Sequence, residues 1–270
     1  MRQHSKTLGI SGELAVPISL LCLVITLITS LTAFNKVQSK EDGKPLGESL
    51  QLVVVVTQDW EAVNGTLQRY ERPNLTSAWR PVGPKIPLVV GRNGMGWGKG
   101  LHQNPSRSGP VKKEGDRKAP AGIFSLSQAF GYAPAESIPG LKLPYLELSQ
   151  GMQCVDDVKS QHYNEIVHAN ELSERDWQSF EDMRRSDGLY RWGILVAHNA
   201  RPSMPGAGSC IFLHIWRGPA QGTSGCTAFE ASQVEAMLHW LDSAAKPLLV
   251  QLPTPEFIRL QRQWDLPDIP

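Results

Sequence analysis

The fold and the chemistry are indicated most strongly by residues 209–230, which read SCIFLHIWRGPAQGTSGCTAFE. The segment 210–216 has the length of a strand and is rich in β-branched and aromatic residues. Because side chains alternate between the two faces of a strand, His214 shares a face with Phe212, while aliphatic residues take the other face. A turn-rich loop follows and ends in Thr-Ser-Gly-Cys at 223–226. The pattern predicts a strand with one ionisable side chain, followed by a loop that ends in a cysteine.

Short apolar runs separated by turn residues recur over most of the chain. The 24 glycines and 20 prolines among 270 residues favour many turns. Five runs have the length and composition of strands: LQLVVVV at 50–56, KIPLVVG at 85–91, GIFSL at 122–126, GILVAHN at 193–199 and CIFLHIW at 210–216. We expect a mostly β (α+β) fold with short helices at its edges.

Two capping boxes predict helices. The first, Ser173–Asp176, precedes apolar residues at every third position over 177–183. The second, Ser232–Glu235, precedes a stripe of apolar residues over 234–241, and Pro247 lies beyond the end of that pattern. Both segments are therefore expected to form short amphipathic helices.

The composition excludes several classes of protein. The 27 Lys and Arg residues nearly balance the 26 Asp and Glu residues, so no chain-wide positive field exists to hold nucleic acid, and we expect no nucleic-acid partner. A hydrophobic content of 41% with 20% charged residues excludes a disordered chain. The four cysteines are too few for a disulfide scaffold and lack the C-x-x-C spacing of a structural zinc site.

The N-terminal part of the chain contains a long uncharged segment at 14–34. A helix of this length reaches about 30 Å and can span a bilayer. We expect an uncleaved signal anchor in preference to a cleaved signal peptide, with residues 1–13 as a cytoplasmic n-region. A polar linker at 35–49 then leads to a folded domain at 50–270. A buried core helix is the weaker alternative for the apolar segment, because the segment is continuously apolar rather than amphipathic.

The cysteine at position 226 needs a base, because a thiol with an ordinary pKa of about 8.5 is only about 3% thiolate at pH 7. His214 is the nearest candidate in sequence, and a histidine partner can depress the pKa of a thiol. Gly225 permits backbone conformations that bring several N–H groups around one point, as an oxyanion hole requires. One alternative is an inert buried thiol beside a core histidine. The other is a metal site formed by His214 and Cys226, with or without Cys210, which lacks a fourth ligand at a usual spacing.

These residues resemble the catalytic signature of the YkuD-type L,D-transpeptidases, in which a strand histidine is followed by a loop ending in Ser/Thr-x-Gly-Cys. The likeness extends upstream to KEGDRKAPAGIF at 113–124, which is similar to the family segment E-G-D-x-x-T-P-x-G-x-F, with Ala119 where threonine is usual. The resemblance covers roughly residues 52–252. Further stretches resemble a bacterial subgroup of the family: 154–157, 163–164 and 199–209.

The resemblance implies an L,D-transpeptidase-like β-sandwich of mixed sheets that acts on peptidoglycan stem peptides in cell wall biogenesis. It implies that Cys226 is the nucleophile, that His214 is the base, and that Thr223, Ser224 and Gly225 form the loop that holds the oxyanion. A thioester on the cysteine would give cross-links or protein attachment. Hydrolysis of the same thioester (L,D-carboxypeptidase or amidase) and a non-catalytic wall-binding module are the alternatives.

The resemblance also implies a location and a set of partners. No metal or organic cofactor is expected. The domain is expected at the periplasmic or cell-envelope face, anchored in the inner membrane through 14–34, with stem peptides as its partner. Two departures concern the substrate. Ile215 follows the histidine where many members have glycine, and Ala228 stands where many have an arginine, a residue that could recognise a substrate carboxylate bidentately.

Three further residues are candidates for a substrate cleft. Trp216 lies on the same strand face as the histidine, and His102 follows the glycine-rich loop 91–100. Asp116 lies in the upstream segment shared with the family. The alternative for His102 is an exposed loop histidine, and the alternative for Asp116 is a carboxylate that organises a turn.

The remaining cysteines allow one disulfide. Cys22 lies in the apolar segment 14–34. If Cys226 is a free thiol, Cys154 and Cys210 are therefore the pair left for an oxidising compartment, and their disulfide would close a loop of about 57 residues. Two reduced, buried cysteines are the alternative.

Overall fold

The computed structural model describes Met1, residues 45–102 and residues 108–269. The predicted signal anchor at 14–34 lies outside the described residues, as does most of the predicted linker. Among the described helices, none is both long enough and apolar enough to cross a bilayer.

The described part of the chain is mostly β, with two α-helices near its C-terminal end. The strands are β1 Gln51–Thr57, β2 Asn64–Glu71, β3 Arg80–Val89, β4 Met95–Trp97, β5 Ala119–Gly131, β6 Tyr145–Glu147, β7 Met152–Val155, β8 Ile166–His168, β9 Phe180–Asp182, β10 Trp192–Val196, β11 Phe212–Ile215, β12 Thr227–Phe229 and β13 Leu248–Pro253. The helices are α1 Ala231–Trp240 and α2 Thr254–Trp264. All five predicted strands are confirmed.

Ten of the strands form one mixed sheet in the order β10-β11-β12-β3-β2-β1-β13-β5-β4, with β6 beside β5. Strand β10 also pairs with β5, so that part of the sheet closes on itself. The β1–β13 and β11–β12 pairs are parallel, while β1–β2 and β2–β3 are antiparallel. A second sheet has the order β8-β7-β9. The expected mostly β fold with mixed sheets and short helices is confirmed.

Strand β1 lies inside the large sheet because its sequence suits burial on both faces. Val53, Val54 and Val55 are at most 2% exposed, and the strand pairs with β2 on one side and β13 on the other. A continuous β-branched run is typical of a strand covered on both faces. The core of the domain forms around this strand.

The folded domain begins earlier than the sequence predicts. Leu46 is 2% exposed and belongs to the main hydrophobic core. The Arg72 guanidinium donates to the Ser49 carbonyl at 2.7 Å. Residues 45–49 are therefore part of the fold, and the predicted linker at 35–49 is wrong at its C-terminal end.

One predicted helix is confirmed and the other is wrong. Helix α1 begins at Ala231 and is capped by Glu230, whose carboxylate accepts from the Ser232 amide at 2.9 Å. The segment 173–179 is irregular instead of helical and leads into β9. Its Asp176 carboxylate accepts from Ser160 Oγ at 2.6 Å, so the group that was expected at a helix start stabilises a neighbouring turn. Helix α2 was not predicted.

Candidate active site

Two neighbouring parallel strands place Cys226 beside His214. Cys226 directly precedes β12, and β12 pairs with β11 so that His214 lies opposite Ala228. Since residues two apart in a strand share a face, Cys226 and His214 project to the same side of the sheet. Both line a cavity of about 500 Å³, and the predicted cleft residue Trp216 lines it too.

The alternation predicted for β11 is confirmed by its two sets of neighbours. Ile211, Leu213 and Ile215 pack into the main core. Phe212 packs on the opposite face, in a smaller buried cluster that includes Cys226. The nucleophile candidate therefore lies in the smaller cluster, at the edge of the cavity.

The Cys226 thiol is free, buried and protonated. Its Sγ accepts from the Phe212 amide at 3.3 Å and donates to the Cys210 carbonyl at 3.4 Å. Burial raises the pKa of this thiol well above its ordinary value, and the negative charge of Glu181 adds to the effect. The sequence-based expectation that a histidine depresses this pKa is wrong for the resting protein.

His214 is held as a neutral imidazole with a defined tautomer. Its Nδ1 lies 2.8 Å from the Ile215 carbonyl oxygen, and a carbonyl only accepts, so Nδ1 carries the proton. The other nitrogen, Nε2, is therefore the basic one. Burial lowers the pKa of His214 to about 4, although the hydrogen bond to Ile215 opposes this shift. The ring also packs edge-on against Tyr190, with centroids 5.0 Å apart.

The loop before the cysteine is organised by Thr223. Its hydroxyl donates to the Cys226 carbonyl at 2.6 Å and accepts from the Gly225 amide at 3.1 Å. The backbone φ of Gly225 lies outside the left-handed region. Space at this position is limited, because a Cβ there would lie 3.3 Å from the Lys118 carbonyl oxygen.

Asp116 and His102 stabilise the fold away from this cavity. The Asp116 carboxylate accepts from Lys112 Nζ at 2.7 Å and from the Lys118 amide at 2.9 Å. These contacts fit the alternative in which Asp116 organises a turn. His102 Nδ1 accepts from the Ile123 amide at 3.0 Å. The cleft role predicted for His102 is wrong, because its ring is buried in an aromatic cluster: Trp97, Phe124 and Trp264.

Tyr190 and Glu181 are cavity residues that the sequence analysis did not identify. The Tyr190 hydroxyl donates to Glu181 Oε2 at 2.5 Å, and both side chains line the 500 Å³ cavity. Burial raises the pKa of each. They belong to no short motif, and Glu181 lies in the segment that was predicted to be helical, so no sequence signal pointed to them.

Arginines give the cavity its positive charge. Arg92 donates through Nη2 to Ser224 Oγ at 3.1 Å. Arg185 donates twice to Asp187, at 2.9 and 2.6 Å, and Arg217 donates to the same carboxylate at 2.7 Å. Cys226 also lines a second cavity of about 330 Å³. Its lining carries both charges: Lys112, Glu114, Arg117, Asp156 and Glu181.

Cys154 and Cys210 form a disulfide, with their Cα atoms 6.0 Å apart. This decides between the two alternatives that the sequence left open. It joins β7 of the small sheet to Cys210, whose carbonyl accepts the hydrogen bond from the Cys226 thiol. It also removes Cys210 as a thiolate ligand, which weakens the metal-site alternative.

The first cavity brings Cys226, His214, Trp216, Thr223 and Ser224 together, and Gly225 lines the second cavity beside Cys226, whereas Asp116 and His102 lie elsewhere. A thiol beside a neutral imidazole at a cavity wall can attack an electrophilic carbonyl while the imidazole takes the proton. The chain matches no family model, and no curated protein or solved structure matches it either.

Proposed function

We propose that the protein is a cysteine acyltransferase of the L,D-transpeptidase type that acts on peptidoglycan stem peptides. The observation that carries this proposal is the free Cys226 thiol, which shares a strand face and a cavity with His214 while the Ile215 carbonyl fixes the tautomer of that histidine. The match of 223–226 to the family signature supports the same chemistry. In this proposal the large mixed sheet corresponds to the sandwich of that family.

The first half of the reaction forms a thioester. Cys226 Sγ attacks the carbonyl carbon after an L-centre of the stem peptide, and its proton passes to His214 Nε2. The tetrahedral intermediate collapses with cleavage of the C–N bond. The nitrogen of the departing D-residue takes the proton from the imidazolium, so that the histidine is neutral again.

The second half releases the acyl group. An amine acceptor attacks the thioester carbonyl, His214 takes the proton of the amine, and that proton returns to the sulfur as the C–S bond breaks. The product is a cross-link or a protein attachment. If water attacks instead, the product is a trimmed peptide, so transfer and hydrolysis differ in the acceptor and not in the nucleophile.

The oxyanion is held by backbone amides of the loop before the nucleophile. The Gly225 amide already donates to Thr223 Oγ1. We therefore assign the oxyanion to the amides of Ser224 and Cys226, with Thr223 as the residue that positions them.

The proposed site of action is the outer face of the inner membrane, with 14–34 as the anchor. The Cys154–Cys210 disulfide supports this, because disulfides form and persist in oxidising compartments such as the periplasm. Stem peptides are displayed on that side of the membrane.

The test is an incubation of the purified full-length protein with muropeptides, followed by mass spectrometry of both protein and peptides. We expect a thioester adduct on Cys226 and cross-linked products. Trimmed peptides would favour the hydrolase, and unchanged peptides without an adduct would contradict both activities. Cys226→Ala should abolish the adduct, while His239→Ala, which changes an exposed histidine on α1, should retain it.

A further inference from the structure

Arg92 lies on the wall of the 500 Å³ cavity that Cys226 and His214 also line. Its side chain is exposed, and its guanidinium donates to Ser224 Oγ at 3.1 Å. Ser224 is two residues before the nucleophile, and consecutive Cα atoms are about 3.8 Å apart. The guanidinium is therefore hydrogen-bonded to a residue two positions before the nucleophile, on the wall of the same cavity.

The backbone of Arg92 is fixed to the nucleophile loop. Its amide donates to the Thr223 carbonyl at 2.9 Å. Gly222 packs so closely that a Cβ at that position would lie 2.7 Å from Arg92 Cα. The arginine and the loop that carries Cys226 therefore form one structural unit, which is the rigid support that a recognition residue needs.

Arg92 differs from the other arginines of the cavity in its charge balance. Arg185 and Arg217 both donate to Asp187, which neutralises them in part. Within the ranges 45–102 and 108–269, no carboxylate forms an ion pair with Arg92. Its five N–H donors are satisfied only in part by Ser224, so the guanidinium is available to an anionic group in the cavity.

We propose that Arg92 binds the terminal carboxylate of the acyl donor, which belongs to the residue that leaves when the thioester forms. This inference rests on the proposed function, because that reaction places a free carboxylate one residue beyond the attacked carbonyl. Position 228 lines the same cavity and presents only the methyl group of Ala228. The strand after the nucleophile therefore offers no cation to a carboxylate. Arg92, in the loop between β3 and β4, offers a guanidinium that can bind it bidentately.

The test compares two synthetic stem peptides that differ only in their last group, a free carboxylate in one and a carboxamide in the other. Binding is measured by calorimetry on full-length Cys226→Ala protein, and turnover is measured on the protein with Cys226 intact. Each background is prepared with Arg92, with Arg92→Gln and with Arg92→Lys. Arg80→Gln is the matched control, because Arg80 is an exposed arginine on β3 that does not line the cavity.

We expect the carboxylate peptide to bind at least about tenfold more tightly than the carboxamide, as one charge-assisted bidentate contact provides. Arg92→Gln should remove this preference while leaving carboxamide binding within about twofold, and Arg92→Lys should retain part of it. Arg80→Gln should behave as the parent protein does. The same ratios should appear in kcat/KM.

Two results would overturn the inference. The first is an unchanged preference for the carboxylate in Arg92→Gln, and the second is an equal loss of binding for both peptides, which would indicate a structural role. Failure of the proposed function has a different signature. A binding preference that depends on Arg92, without any thioester on Cys226, would retain the recognition role and reject the acyl transfer.

Discussion

The Cys226 thiol and the His214 imidazole are both neutral at pH 7, and this determines how the nucleophile can be activated. Burial raises the pKa of the thiol and lowers that of the histidine to about 4, so a preformed ion pair is disfavoured. The proton must therefore move as the sulfur attacks, in general-base fashion. The donation of the thiol to the Cys210 carbonyl stabilises the resting state further.

Alkylation of Cys226 should consequently depend steeply on pH. In the folded protein we expect iodoacetamide to label this thiol more slowly at pH 7 than it labels glutathione, with a rate that keeps rising above pH 8.5. In urea the labelling should reach the rate of an ordinary thiol. Peptide mass spectrometry over pH 6–10 measures both. A rate at pH 6 that equals the rate at pH 9 would indicate a stabilised thiolate and contradict the neutral pair.

Removal of either member of the pair should eliminate most turnover. We expect Cys226→Ala and His214→Ala each to lower kcat/KM by at least about a thousandfold, because nucleophile and base act as a unit. The double variant should be little worse than either single variant. Thioester formation on muropeptides measures this effect, and full activity in Cys226→Ala would reject the catalytic assignment.

At the scale of elements, the strand β11 could be predicted from its own residues and its partner could not. The alternation around His214 is visible in the sequence, and so is the turn-rich loop after it. The parallel pairing of β11 with β12 and the closure of β10 on β5 could not be predicted, because each is a contact between two elements and is not visible in the residues of either one. The segment 173–183 was predicted as a helix because its apolar spacing fits one, but tertiary contacts of Asp176 and Trp177 favour an irregular path.

The same limit applies to the site. Cys226 and His214 could be predicted locally, because both lie in the 22-residue segment 209–230, one at the end of a loop and the other on a strand. Tyr190, Glu181 and Arg92 come from three other segments and meet only in the fold. At Gly225 the sequence shows the conformational freedom of a glycine, but only the fold shows that the Lys118 carbonyl limits the space at that position.

The loop before the nucleophile should depend on the Thr223 hydroxyl. Thr223→Val keeps the shape of the side chain but removes the donor to the Cys226 carbonyl and the acceptor of the Gly225 amide. We expect a loss of about 1–2 kcal/mol in the free energy of unfolding and a much larger loss in the rate of thioester formation. Thr223→Ser should retain both. Urea denaturation and adduct formation measure the two quantities, and unchanged adduct formation in Thr223→Val would remove Thr223 from the site.

At the scale of the whole molecule, buried neutral histidines should make the domain sensitive to acid. Burial lowers the pKa of both His198 and His214 to about 4. Between about pH 6.5 and 4 the unfolded chain therefore binds more protons than the folded chain, and the free energy of unfolding falls as the pH falls. Each histidine contributes up to about 3 kcal/mol over this window. Glu181, whose pKa is raised by burial, acts in the opposite direction.

Urea denaturation at pH 7, 5.5 and 4.5 measures this dependence. His198→Gln should reduce the slope of stability against pH, because it removes one of the histidines whose pKa is lowered by burial. His239→Gln should leave the slope unchanged, because His239 is exposed. Equal stability at pH 7 and pH 4.5 would contradict the assignment of two buried neutral imidazoles.

The Cys154–Cys210 disulfide also sets a requirement on how the nascent chain is oxidised. Cys154, Cys210 and Cys226 share one buried cluster, so their thiols can form any of three single disulfides, and only one of these leaves the nucleophile intact. A first disulfide that includes Cys226 blocks the nucleophilic sulfur, and only thiol–disulfide exchange can free it again. An oxidoreductase that reshuffles disulfides should therefore increase the active fraction of freshly made protein without altering its turnover. The same oxidoreductase should not increase the active fraction of the Cys154→Ala/Cys210→Ala double variant.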